Sequence, residues 1–304
     1  MAQKDVKNRI SSVKNIQKIT RAMEMVAAAR LRRAEQRIEA LRPYASAIRR
    51  MTRQAAEAAG NVPSLPILNE HESVNTVGLL LVTGDRGLAG AFNSQIVRAG
   101  VRVAAEHEGE GRSLAWYASG RRGTSSLQFR GNEVVGSYTG FTDRPAYGDA
   151  RDIASDLMAA YVDGKVDQVE IIYNHYISPL TQRVTREPLL PLQQATILET
   201  EEGEEEGGER DERDESKRAL VEYEPEPEDI LQRLIPAYVE ISIFRALLES
   251  TASEHGARMT AMRNASQNAG DIIKDLTLQM NRERQAEITQ EILEVVSGAE
   301  GLTS

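Results

Sequence analysis

The sequence predicts an α/β domain set between two long terminal helices that pair as an antiparallel coiled coil. Three observations carry this. Residues 4–59 contain one proline, Pro43, and their first glycine is Gly60. Residues 231–280 hold a three-four spacing of mostly apolar or small side chains, the mark of a coiled-coil seam. Between them, short apolar runs alternate with helical stretches, as in a mostly parallel sheet.

The first helix carries its stripe at Val6, Ile10, Val13, Ile16, Thr20, Met23, Ala27, Leu31, Ala34, Ile38, Leu41, Ala45 and Ile48. At 1.5 Å per residue it is on the order of 80 Å long. Pro43 removes a backbone hydrogen bond, so a kink or a split is expected there. "GNVPSLPILNEHES" then closes the element as a loop.

At the other end, "EPEPED" supplies a helix start. The seam runs through Leu231, Leu234, Tyr238, Ile241, Arg245, Leu248, Ala252, His255, Met259, Met262, Ser266, Ala269, Ile273, Leu276 and Met280. Only Arg245, His255 and Ser266 interrupt its apolar or small character. Pro236 is placed to bend the first turns. The phase slips after Met280, resumes at Ile288, Ile292 and Val295, and "SGAEGLTS" is expected to end the helix. Such a helix is on the order of 100 Å long. No compact 304-residue domain encloses that length, so much of it is expected to protrude, paired with the first helix.

The middle reads as strands at 76–83, 113–119, 133–138 and 167–178, with helices at 91–107 and 149–163 and a weaker one at 121–129. Residues 181–192 fit one further, antiparallel strand. The expectation is a Rossmann-like, mostly parallel sheet with flanking helices. Four segments follow: an N-terminal coiled-coil helix (1–59), an α/β foot domain (74–193), an acidic disordered insertion (199–218) and a C-terminal coiled-coil helix (228–298). The insertion, "ETEEGEEEGGERDERDESKR", has no large apolar residue to offset the entropy of ordering. A metal-binding acidic loop is the sharper alternative for it.

Composition removes several classes of function. The chain has no cysteine, so disulfides, thiolate metal sites and cysteine nucleophiles are excluded. Four scattered histidines do not make a metal cluster. The start "MAQKDVKNRI" lacks the apolar core of a secretory signal, and no run of about 18 apolar residues spans a bilayer. Any membrane role is expected to go through partners.

Charge is unevenly distributed. Residues 1–53 carry fourteen Lys and Arg against four acids, a charge of +10 on a chain whose net charge is −9. A basic arm fits an acidic protein surface, nucleic acid or anionic lipid. Tyr44 is the only aromatic in that arm, which leaves nucleic-acid bases nothing else to stack on. A basic-zipper geometry needs an adjoining parallel zipper, and here the best zipper lies at the other end of the chain. A solvated helix face remains a third reading.

One loop raises the question of a nucleotide. "LLLVTGDRGLAGAFNSQI" (79–96) places Gly84, Gly87 and Gly90 where a strand hands over to a helix. A P-loop needs a lysine after its glycines and there is none. The dinucleotide fingerprint needs Gly-x-Gly-x-x-Gly, whereas this spacing is Gly-x-x-Gly-x-x-Gly, with Asp85 and Arg86 in the turn. A tight corner is the plainer reading. Asp85, Asp143, Asp149 and Asp152 fit solvated loops, Ser94 has no elbow motif, and His107, His175 and His255 show no evident partner. No catalytic, cofactor-binding or metal-binding residue is assigned, and no cofactor is expected.

Four blocks in order carry a resemblance. "RISSVKNIQKITRAMEMVAAARLRRA" (9–34), "VTGDRGLAGAFN" (82–93), "STASEHGARMTAMRNASQNAGDII" (250–273) and "RQAEITQEILEVVSGAEGL" (284–302) resemble the gamma subunits of F-type ATP synthases. The likeness covers nearly the whole chain except 199–218. It departs at Ala91, where the family usually has a second glycine. Chloroplast relatives carry a cysteine-bearing regulatory insertion near 199–218, and the cysteine-free segment here rules out thiol control.

The resemblance implies a non-catalytic central-stalk subunit, a rotor shaft transmitting torque between the membrane c-ring and the alpha3-beta3 hexamer, where beta performs the catalysis. The implied partners are the alpha and beta subunits, the epsilon subunit and the c-ring, with no nucleic acid and membrane contact only through the complex. Met23 and Arg258 match residues facing the acidic lever loop of beta. Gln285, Thr289 and Glu291 match polar residues that meet beta near the upper shaft. Met23 also fits as a seam residue against the C-terminal helix. The implied location is peripheral, on the cytoplasmic side of a bacterial cell membrane. The alternative is a nucleotide-binding α/β enzyme with coiled-coil arms.

Overall fold

The run TVGLLLV is buried at every position from Val77 to Val82, as expected of a central strand covered on both faces. The rest of the architecture is organised about it. In the computed structural model, residues 3–59, 66–192 and 227–303 are described. Along the chain these give α1 (Gln3–Ala59), β1 (Thr76–Val82), α2 (Phe92–Gly109), β2 (Ser113–Ser119) and α3 (Arg121–Phe129). There follow β3 (Val134–Tyr138), α4 (Tyr147–Val162), β4 (Gln168–Tyr176), β5 (Gln182–Leu190) and α5 (Pro227–Thr303). The acidic segment 199–218 lies outside the described residues.

The sheet order is β3-β2-β1-β4-β5. β1 is parallel to both β2 and β4, β2 is parallel to β3, and β5 closes the edge antiparallel to β4. This is the mostly parallel, Rossmann-like sheet the alternation of elements predicts, including the antiparallel fifth strand.

Contacts divide the chain into two compact units. The first joins Met1–Arg30, Leu88–Gly90 and His255–Ser304, and the second joins Leu31–Gly87 and Ala91–Glu254. In the second unit, successive side chains of β1 face opposite sides. Leu80 and Val82 share a core with Ile153 and Leu157 of α4 and with Leu231, Ile235 and Val239 of α5. Leu81 faces α2, where an added Cβ on Gly100 would stand 2.6 Å from Leu81 Cδ2, so the glycine admits a close helix-to-sheet approach.

Pro43 does not split α1, which is continuous to Ala59, and α5 likewise contains Pro236. An interior proline costs about 3 kcal/mol. Around Pro43, Ala45, Ile48 and Ile241 are buried together with Leu41, Leu234 and Tyr238 packed on them. Burying such side chains returns about 1.5–3 kcal/mol each for the larger ones, which outweighs the lost hydrogen bond. α5 also continues to Thr303 instead of ending at "SGAEGLTS". An interior glycine costs only about 1 kcal/mol and keeps its N–H, so Gly298 and Gly301 do not stop a helix as a proline would.

In the first unit the two helices pair antiparallel. Gln17 Nε2 donates to the carbonyl of Ser266 at 3.2 Å, and Arg263 Nε donates to Glu24 Oε1 at 2.8 Å, so rising positions on α1 meet falling positions on α5. Val6, Ile10, Ala27, Met262 and Ala269 are buried along this pair. One expectation fails at Ile16, which is exposed; Met23 is half-buried, as Gln17 and Glu24 are. Gln17 and Glu24, polar residues that an apolar stripe passes over, also reach across the pair.

Candidate functional site

In sheets of this order, ligands bind beyond the carboxyl ends of the strands, where the order reverses between β1 and β4. That crevice is filled by the chain itself. Ser250 Oγ of α5 donates to the Val82 carbonyl at the end of β1 (3.3 Å), and Ser253 Oγ to the Asn174 carbonyl near the end of β4 (3.1 Å). Thr251 Oγ1 donates to the Thr142 carbonyl at 2.9 Å. The same helix approaches the glycine loop closely: a Cβ on Gly84 would stand 2.6 Å from the Glu254 carboxyl carbon. The remaining void holds about 10 Å³, scarcely one water.

The glycine loop supplies its own anion. Asp85 Oδ1 accepts from the Arg121 N–H at the start of α3 (3.1 Å), where a phosphate would sit in a nucleotide-binding protein. Asp85 Oδ2 accepts from Gly140 N–H (2.9 Å) and from the N–H and hydroxyl of Thr142. Burial pushes this carboxyl up, but the bonds from Arg121, Gly140 and Thr142 together outweigh it and hold it below its ordinary value. Asn93 Oδ1 accepts from Gly84 N–H, and Arg86 pairs with Asp143, which ties the loop to its surroundings. Asp149 is structural too, its Oδ2 accepting from the Ala146 N–H at the start of α4, while Asp152 is exposed. Among the described residues, no group of three or more His, Cys, Asp and Glu could hold a metal ion.

The histidines do have partners, across elements that the sequence does not place side by side. Glu170 on β4, 4 % exposed, accepts two bonds from Arg186 on β5 (Nε 2.6 Å, Nη2 2.8 Å), and His107 Nε2 of α2 lies 3.3 Å from the same carboxylate. Arg112 Nη1 is 3.1 Å from His107 Nδ1. The bond to Glu170 is the main cause raising the Arg186 pKa. His175 Nδ1 lies 2.6 Å from Glu249 Oε2, and burial pushes the Glu249 carboxyl up despite Arg245 and His175 nearby.

The residues expected at a partner surface fall within the first unit. Gln285, Thr289 and Glu291 are exposed, on successive turns of α5, and Thr289 Oγ1 bonds the Gln285 carbonyl at 2.8 Å. Met23 is half-buried. Arg258 is 8 % exposed, with Nη1 3.3 Å from His255 Nδ1. Exposed apolar side chains accompany them, Ile16, Ile19, Met25 and Val26 on α1 and Ile288, Ile292, Leu293 and Val295 on α5. No helix among the described residues is long and apolar enough to cross a membrane.

One unit is thus a mostly parallel α/β sheet whose strand-end crevice is plugged by its own chain, and the other is an antiparallel pair of long helices. The sequence matches the family described as ATP synthase over residues 2–302. An ATP synthase gamma chain of Rubrobacter xylanophilus is 42 % identical over 301 residues, 99 % of this chain and 98 % of its own. One of Streptomyces avermitilis is 42 % identical over 300 residues, 97 % of this chain and 94 % of its own. A chain in the central stalk and c-ring structure of the Tetrahymena thermophila mitochondrial ATP synthase is 27 % identical. It has a TM-score of 0.60 and covers 82 % of this chain and 99 % of that one. A chain of the Euglena gracilis mitochondrial enzyme shares the fold at TM-score 0.67 and 16 % identity, covering 99 % of this chain and 94 % of that one. The chain belongs to the ATP synthase gamma-chain family.

Proposed function

We propose that the chain is the central-stalk shaft of a proton-translocating ATP synthase, carrying torque between a membrane c-ring and an alpha3-beta3 hexamer. The observation that carries this is the antiparallel pairing of helices of 57 and 77 residues, in a chain matched over nearly its whole length by gamma chains. Catalysis belongs to the beta subunits. The epsilon subunit and c-ring complete the partner set, and the location is peripheral, on the cytoplasmic side of the cell membrane.

Met23, Arg258, Gln285, Thr289 and Glu291 meet beta in this reading. What supports it is the exposure of Gln285, Thr289 and Glu291 beside an unpartnered apolar face, together with the +10 charge of residues 1–53. Exposed charges attract an acidic loop at little desolvation cost, so they engage three copies in turn without locking. The unbranched side chain of Met23 adapts to non-identical neighbours. Arg258 has little surface of its own to offer, so its role depends on a partner reaching it.

The test has two parts. The tagged full chain should co-purify with a hexameric ATPase. In inverted membrane vesicles, Met23→Lys, which adds a cation beside Arg21, should lower ATP-driven proton pumping while hydrolysis persists. Unchanged pumping counts against the Met23 contact, and absence of the hexamer counts against the function.

A further inference from the structure

From Arg284 to Ser297 every residue of α5 is exposed, yet this stretch of the first unit carries a coiled-coil pattern. Leu278, Gln285 and Ile292 recur every seven residues. Asn281, Ile288 and Val295 do the same three positions on, and the two rows together make the three-four spacing of a seam. Its four apolar members, Leu278, Ile288, Ile292 and Val295, are 48–71 % exposed, so α1 does not cover them. Arg284 and Glu291 are also seven apart, lie on one flank of this stripe, and are both exposed.

We propose that this stripe is a self-complementary surface, on which the free chain pairs antiparallel with a second copy of itself through residues 278–297 of α5. Equivalent flank positions face each other in an antiparallel pair, so Arg284 of one copy meets Glu291 of the other, and two-fold symmetry makes that contact twice. The same register sets Leu278 against Val295 and Gln285 against Ile288. On the other flank it sets Arg282 against Thr289, so no like charges meet. A parallel pair would set Arg284 against Thr289 and Glu291 against Val296, leaving both charges unmatched. Asn281 and Gln285 inside the seam fix the register at a cost in strength. The interface is short, so the dimer belongs to the weak, reversible class. The stripe overlaps Gln285, Thr289 and Glu291, so a helix end paired with its copy is closed to any other partner until the two separate.

Sedimentation velocity of the full-length chain alone, from about 1 to 300 µM, tests this without any other subunit. The parent should show a concentration-dependent dimer. Arg284→Glu and Glu291→Arg each turn two opposite-charge contacts into two like-charge ones, and each should weaken the dimer about tenfold or more. The chain carrying both Arg284→Glu and Glu291→Arg should regain the parent's association. Both side chains are exposed, so all three variants should keep the parent's circular dichroism spectrum. Disulfides report the orientation, because the chain has no cysteine of its own. Leu278→Cys and Val295→Cys chains, mixed and oxidised, should cross-link to each other. Neither should cross-link to itself, since the two positions lie about 25 Å apart along the helix. The proposal is overturned if the parent stays monomeric throughout, if either charge reversal leaves association unchanged, or if the combined variant fails to regain it. Cross-links within either cysteine chain alone, instead of between the two, overturn it as well.

Discussion

Arg263 and Glu24 form an ion pair at 2.8 Å although 239 residues separate them in sequence. Their side chains are 49 % and 23 % exposed, so the pair reports the antiparallel register more than it stabilises it. A double-mutant cycle with Glu24→Gln and Arg263→Gln should give a coupling energy of about 0.2–1 kcal/mol in chemical denaturation. A coupling indistinguishable from zero together with full rescue by neither charge swap would mean the two residues do not meet.

Asp85 tests the loop. Asparagine cannot accept the full set of bonds from Arg121, Gly140 and Thr142, so Asp85→Asn should destabilise by about 1–3 kcal/mol at pH 7. The folded pKa lies below the unfolded value of about 3.9. Its stabilising contribution is therefore complete above that value and fades as pH falls through the folded one. Denaturation curves of parent and variant should converge as pH falls below about 4; a constant gap would show that the charge is not what the loop uses.

Two glycines separate backbone strain from crowding. Gly120 (φ +93°) and Gly140 (φ +100°) both lie in the left-handed half of backbone space. An added Cβ at Gly120 would stand 2.2 Å from the Thr83 carbonyl oxygen, whereas at Gly140 nothing lies within 4 Å. Gly140→Ala should cost about 1–2 kcal/mol for conformation alone. Gly120→Ala should cost about 1–3 kcal/mol more, read as the difference between their unfolding midpoints.

At the sheet edge, Glu170 is buried and depends on Arg186. Arg186→Met should destabilise by about 2 kcal/mol or more, because it takes the cation from a buried carboxylate and leaves it only Gln168 and His107. Adding Glu170→Gln should recover part of that loss. A double variant as unstable as the sum of the two singles would show that the residues act independently.

The sheet was legible because strand and helix periodicities differ. "SLAWYAS" and "TQRVTREPLL" announce themselves by apolar runs and alternation, and the order of elements allows few topologies. The long helices were legible from their spacing, but the seam was misplaced at Ile16, and the polar crossings at Gln17 and Glu24 lie outside any apolar stripe. The partners of His107 and His175 were not legible. Glu170, Arg186 and Glu249 lie on other elements, and only the sheet register and the approach of α5 bring them near. The glycine loop showed that no P-loop was present. It could not show that α5 residues 250–254 close the crevice, since that contact joins segments about 170 residues apart.

The central claim is that this chain turns as a shaft. It has no native cysteine, and Lys165 is 71 % exposed at its side chain, so Lys165→Cys gives a single attachment point for a bead. With the chain assembled into its own immobilised alpha3-beta3 hexamer and supplied with ATP, the bead should rotate continuously in one direction. Sustained ATP hydrolysis with a stationary bead would contradict the account.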